Sequence, residues 1–118
     1  MRDNKYFKNL KEIPFPYAEK TYTGLDKRDC FNLDTSLIAW LYEHLQAYYD
    51  EANVSIDLME HKYSINGEEL NEKECIFRMI EDCKIILDTW EYENFAKRDA
   101  AKNDLFDVLK ECIWSLWY

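Results

Sequence analysis

Leu70-Asn71-Glu72-Lys73-Glu74-Cys75-Ile76 opens the stretch that decides the fold, and Phe77-Arg78-Met79-Ile80-Glu81-Asp82-Cys83-Lys84-Ile85-Ile86-Leu87 carries it on. Asn71 is a good N-cap. Glu74 stands three residues later, where its carboxylate can reach back to the Asn71 amide in a capping box. Leu70 and Cys75 hold the two positions that a hydrophobic staple joins. Beyond them Ile76, Met79, Ile80, Cys83, Ile86, Leu87 and Trp90 recur at helical spacing as one broad apolar stripe. The spacing predicts a helix from 72 to about 92.

Upstream, Asn66-Gly67 is a turn signal. Tyr63 and Ile65 alternate with Lys62 and Ser64, and Val54, Ile56 and Leu58 alternate with Ser55 and Asp57. Period two predicts two short strands over these runs, paired as a small hairpin that leans on the helices, since a hairpin alone is marginal. An earlier helix is predicted at 33–52, capped by Asn32 and with Asp34 placed well against the helix dipole. Its apolar stripe is Leu33, Leu37, Trp40, Leu41, His44 and Tyr48, widened by Ile38, Leu45 and Ala52, while Glu43, Gln46 and Asp50 form the wet side. Downstream, Ala101, Leu105, Val108, Leu109, Cys112 and Leu116 predict a third helix over 97–117, its core face broadened by Phe106, Ile113 and Trp117. Residues 1–31 hold Pro14-Phe15-Pro16, which favours an extended path, and Tyr6, Phe7, Ile13, Phe15 and Tyr17, which are too apolar for a free tail. The expectation is one domain over 1–118: a mainly α, three-helix domain with a small two-strand element and an N-terminal strap, residues 1–31 being an irregular arm packed on the helices.

The whole-chain totals agree. A length of 118 residues buries a core without disulfide staples, and 16% aromatic content argues against disorder. Two prolines and two glycines leave room for long helices. Of the net charge of −9, residues 43–93 carry the whole excess, with four basic and fourteen acidic side chains. Such a field repels phosphate backbones, so direct nucleic-acid binding is not expected. It attracts a basic protein surface, including one that normally holds DNA or RNA; the alternative is a solvated acidic face that serves solubility. Cys30, Cys75, Cys83 and Cys112 show no CxxC spacing, and the last three fall in helical apolar stripes, as buried reduced cysteines do. The N-terminus lacks a signal-like apolar run, and no stretch is apolar enough for a membrane span. These features predict a cytoplasmic protein.

Asp29-Cys30-Phe31-Asn32-Leu33-Asp34-Thr35-Ser36-Leu37-Ile38-Ala39 resembles the DxWNLDxxLA signature of a family of small phage- and prophage-encoded proteins. His61-Lys62-Tyr63 is similar to that family's HKF-like stretch, Leu70 to Leu87 to its second capped helix, and Leu116-Trp117 to its closing LW. Cys30-Phe31 departs from the usual threonine or valine plus tryptophan. The likeness covers about residues 24–118. It implies phage origin, in an infected or lysogenic host cell, and no catalytic residue.

Residues with spacing suited to chemistry are few. Gly24 and Gly67 stand too far apart to build a phosphate loop. His44 and His61 belong to no metal-binding spacing. His44 reads as a satisfied, partly buried histidine and His61 as a structural hydrogen-bonding one. Glu81-Asp82 reads as a solvated pair. No metal, no cofactor and no catalysis are expected. What stands out is apolar residues off the core stripes. Phe77, Ile85 and Tyr92 share the back of the second helix with Glu81 and Asp88, and Trp114 and Tyr118 lie off the stripe of the third. Either the strap or hairpin covers them, or they form a face that docks a partner, with apolar anchors framed by acid. The sequence therefore predicts a non-catalytic interaction protein, an acidic accessory or counter-defence inhibitor of a host nucleic-acid-handling factor. The alternatives are a virion or assembly component acting through homo-oligomerisation, and a small enzyme or metabolite-binding protein.

Overall fold

The computed structural model describes residues 33–89 and 94–118. The backbone groups into two compact units, Met1–Ser36 and Leu37–Tyr118. Only the first helical turn of the former is among the described residues, so the expected N-terminal arm and the Asn32 cap lie outside them. All other described residues belong to the second unit. The elements in chain order are α1 (Leu33–Ser55), β1 (Lys62–Ile65), β2 (Glu68–Asn71), α2 (Glu72–Asp88), α3 (Phe95–Cys112) and a closing 3-10 turn (Ile113–Ser115). The protein is mainly α, with three helices and one two-stranded antiparallel sheet among the described residues.

α2 begins where its capping box places it. The Asn71 Oδ1 accepts from the Glu74 amide at 2.8 Å, and Glu74 Oε1 accepts from the Asn71 amide at 3.0 Å. Two orphan donors of the first turn are thereby satisfied, an arrangement worth about 1 kcal/mol. Cys75, Ile76, Met79, Cys83 and Ile86 are buried along its length. The helix stops at Asp88, short of the expected 92. Thr89 ends it by donating both its amide, at 3.0 Å, and its hydroxyl, at 2.5 Å, to the Ile85 carbonyl. Its backbone, at φ −112° and ψ 51°, has left the helical region, so the ladder ends with this residue. α3 packs against α2 and buries Ala101, Leu105, Val108 and Cys112.

The structure corrects three further expectations about the fold. The strand expected at 54–58 does not form. Val54 and Ser55 end α1, and the Ile56 amide extends its ladder to the Ala52 carbonyl at 2.9 Å. The true partner of β1 is β2, with Tyr63 opposite Leu70 and Ile65 opposite Glu68. Asn66 and Gly67 both take positive φ, 51° and 84°, so a two-residue turn joins the strands directly and needs no longer loop. The face of α1 is also rotated. Ile38, Leu45 and Ala52, seven residues apart and so on one side of the helix, are its buried residues, whereas Leu33 and Leu37 are exposed. α1 is apolar around much of its girth, so periodicity alone selects no single side. Finally, α3 ends at Cys112 rather than 117. The tighter closing turn breaks the α-helical phase of the last residues, and Ile113 and Trp117 lie exposed, as does Phe106 on α3 itself; none of the three broadens the core.

Candidate functional site

The back of α2 does not form the continuous face read from the sequence. Phe77 is 46% exposed, with its ring 4.8 Å from that of Tyr49 on α1 and the Lys73 ammonium 5.7 Å from its centroid. Glu81 and Asp88, further along the helix, are exposed. Ile85, however, turns inward and packs half-buried against the core, and Tyr92 lies outside the described residues. The supposed solvated pair Glu81-Asp82 is split as well, because Asp82 is only 7% exposed.

Asp82 joins a polar seam that ties α2 to α3. Arg78 grips Asp104 through two parallel bonds, Nη2 to Oδ1 at 2.6 Å and Nε to Oδ2 at 2.9 Å, and reaches Glu68 on β2 with its remaining nitrogen. The guanidinium beside Asp104 holds that carboxyl below the usual range. Burial, and then the neighbouring Asp104 carboxyl, push Asp82 up to about 8. Its Oδ2 is buried without a hydrogen-bond partner among the described residues. His44 is half-buried, as expected; it stacks on Trp40 at 3.9 Å and its Nδ1 lies 2.7 Å from the Trp40 carbonyl, so this nitrogen carries the proton.

The closing turn and the residues after it carry the exposed aromatics. Trp114 is 87% exposed and Tyr118 58%, both off the core stripe where the sequence placed them, and Trp117 joins them at 71%. The Tyr118 ring lies 5.9 Å from that of Tyr48 on α1. Trp117 also walls a cavity of about 200 Å³ at the start of α2, lined by Ile56, Asp57, Glu60, His61, Glu72 and Ser115 as well. Glu72 is the first residue of α2, where its charge suits the helix dipole, yet it is only 3% exposed. Burial pushes its carboxyl above the usual range, although the hydroxyls of Tyr48 and Tyr63 and the charge of His61 pull the other way. Burial and the same carboxylate push Tyr48 up to about 12.

No family model, curated protein or solved structure matches the chain.

The cavity is invisible in the sequence because its parts lie far apart in the chain. Glu72 reads as an ordinary first-turn acid, Tyr48 as core, and Ser115 as nothing in particular. His61, expected to make a structural hydrogen bond, makes none among the described residues and stands exposed at the cavity rim. Ser115 Oγ is taken up by the Tyr63 hydroxyl at 2.6 Å. Among the described residues no three His, Cys, Asp or Glu side chains are grouped to hold a metal ion, and no helix is long and apolar enough to cross a membrane. Cys75, Cys83 and Cys112 are buried free thiols, while Cys30 lies outside the described residues.

Proposed function

We propose that this chain is a non-catalytic interaction protein of the phage type, an accessory or counter-defence factor that acts in the host cytoplasm by covering the basic surface of a nucleic-acid-handling protein. The observation that carries the reading is the exposed aromatic end, where Trp114, Trp117 and Tyr118 stand in solvent and Trp117 lies beside Asp57 and Glu60 at the cavity. Tryptophan and tyrosine are the side chains that most often anchor interfaces, and a monomer rarely leaves several of them exposed together. The surrounding acid selects a partner of opposite charge and disfavours phosphate. The cavity supports a binding role over a catalytic one. At about 200 Å³ it falls below the roughly 300–1,000 Å³ of small-molecule sites, and its serine and histidine are not bonded to one another. Two copies of a chain with net charge −9 repel, which speaks against assembly through this end.

The test is capture from an infected host with the wild-type chain and with a Trp114→Ala, Trp117→Ala double variant. A basic nucleic-acid-binding protein should be retained by the wild type alone and displaced by added DNA or RNA. Equal capture by both chains, or retention indifferent to nucleic acid, overturns the reading.

A further inference from the structure

We infer that the cavity at the start of α2 is a socket for one arginine side chain, whose guanidinium passes between Trp117 and Ile56 and closes on the Glu72 carboxylate. This deepens the interaction reading and rests on it for the source of the arginine, which is the partner protein.

Among the described residues the Glu72 carboxylate is short of donors. Those within reach are the Tyr48 hydroxyl, 3.4 Å from Oε2, and the Tyr63 hydroxyl, 3.5 Å from Oε1. A hydroxyl has one proton to give. Tyr48 also faces the Trp117 carbonyl at 3.2 Å and the Ser115 carbonyl at 3.3 Å, both nearer than Glu72. Tyr63 lies 2.6 Å from Ser115 Oγ, far closer than to the carboxylate. A carboxylate that is 3% exposed is therefore left with two long, shared contacts, where a buried ion needs short ones. Glu72 is one of the residues that line the cavity.

The lining names the guest. Asp57 and Glu60 add negative charge at the rim. Among the described residues no lysine or arginine lines the cavity, so they supply no counter-cation beyond the exposed His61. Trp117 and Ile56 supply an apolar wall suited to the flat face and methylene stem of a long cationic side chain. A guanidinium fits this better than an ammonium. It is less strongly hydrated, so it loses less on entering. Its planar fork pairs with a carboxylate through two bonds, and it stacks on an indole. The volume admits a side chain and not a nucleotide.

The experiment uses the full chain and small probes, so it stands apart from any partner. Nα-acetyl-argininamide is titrated against the ¹⁵N-labelled protein, alongside the citrulline analogue, which has the same shape without the charge, and the lysine analogue. Saturable shifts are expected at His61, Glu72, Ser115 and the Trp117 indole, with a Kd of about 1–10 mM for a single side chain. Citrulline and Glu72→Gln should each weaken binding about tenfold or more, and lysine should bind more weakly than arginine. Should Glu72→Gln fail to fold, the exposed pair Asp57→Asn and Glu60→Gln serves instead, with a loss of about threefold expected for rim charges. Absence of saturation at about 100 mM, equal binding of citrulline, or shifts away from the cavity overturns the socket. Lysine binding as tightly as arginine overturns the guanidinium assignment. A socket that fails while the Trp114 and Trp117 variant still loses its partner leaves the interaction reading standing; a filled socket with no such loss retires that reading alone.

Discussion

Replacing Asp82 by asparagine removes a carboxyl that folding forces to keep its proton. In the folded chain Asp82 is pushed up to about 8, while its ordinary value is 3.8. Between those values the native state holds a proton that the unfolded chain has released. Stability then falls as pH rises, by at most about 1.4 kcal/mol per pH unit. The contribution of Asp82 is thus fully present below about pH 4 and lost by about pH 8. Asp104 shifts the other way, and its stabilisation is lost only as pH falls through a value already below 3.8, so the two windows do not overlap. An asparagine side chain has the shape of the protonated acid and does not titrate. Asp82→Asn should therefore match the wild type near pH 4 and exceed it by a few kcal/mol at pH 8, roughly 10 °C or more in Tm for a chain of this size. Thermal melts of both proteins at pH 4, 5, 6, 7 and 8 read the difference directly, since titrations elsewhere in the chain cancel in the comparison and the Asp104 carboxyl, held below its ordinary value, titrates below this range. A Tm difference that stays flat across this range, or that favours the wild type at high pH, refutes the reasoning about the buried carboxyl pair.

Phe77→Ala should cost about 1 kcal/mol, well short of the 3–5 kcal/mol of a core phenylalanine, because the ring is half in solvent against Tyr49; a thermal melt showing the larger loss would mean a buried ring. Gly67→Ala should cost about 1–2 kcal/mol by denaturant melts. An added Cβ meets nothing within 4 Å there, so the cost is conformational, from φ 84°, and a neutral result would show that the turn had changed type. In the native protein Cys75, Cys83 and Cys112 should resist a thiol reagent at pH 8, with Cys83 pushed by burial up to about 12, and denaturation without reductant should release four thiols per chain. Fewer than four would reveal a native disulfide.

What the sequence determined by itself is what depends on near neighbours along the chain. The Asn71–Glu74 box sets the start of α2 because cap and acid are three residues apart, and the Asn66-Gly67 turn sets the hairpin because glycine and asparagine tolerate positive φ. The buried line of α3, Ala101, Leu105, Val108 and Cys112, was legible because its members recur three and four residues apart, at the spacing that puts them on one side of a helix. Tertiary structure decided what local spacing left degenerate. α1 has several apolar sides, and packing chose Ile38, Leu45 and Ala52; Val54 to Leu58 satisfied a strand pattern, yet the chain buried Leu58 alone, against Ala52 and Ile76. The candidate site lay furthest from view. Tyr48 reaches Glu72 across 24 residues of sequence, and Tyr63 reaches Ser115 across 52. No periodicity records such meetings, and a first-turn glutamate looks the same in the sequence whether it stands in solvent or is buried beside a cavity. Burial turned Glu72 from a first-turn acid into an acceptor with two long, shared contacts among the described residues, and burial is a property of the assembled core.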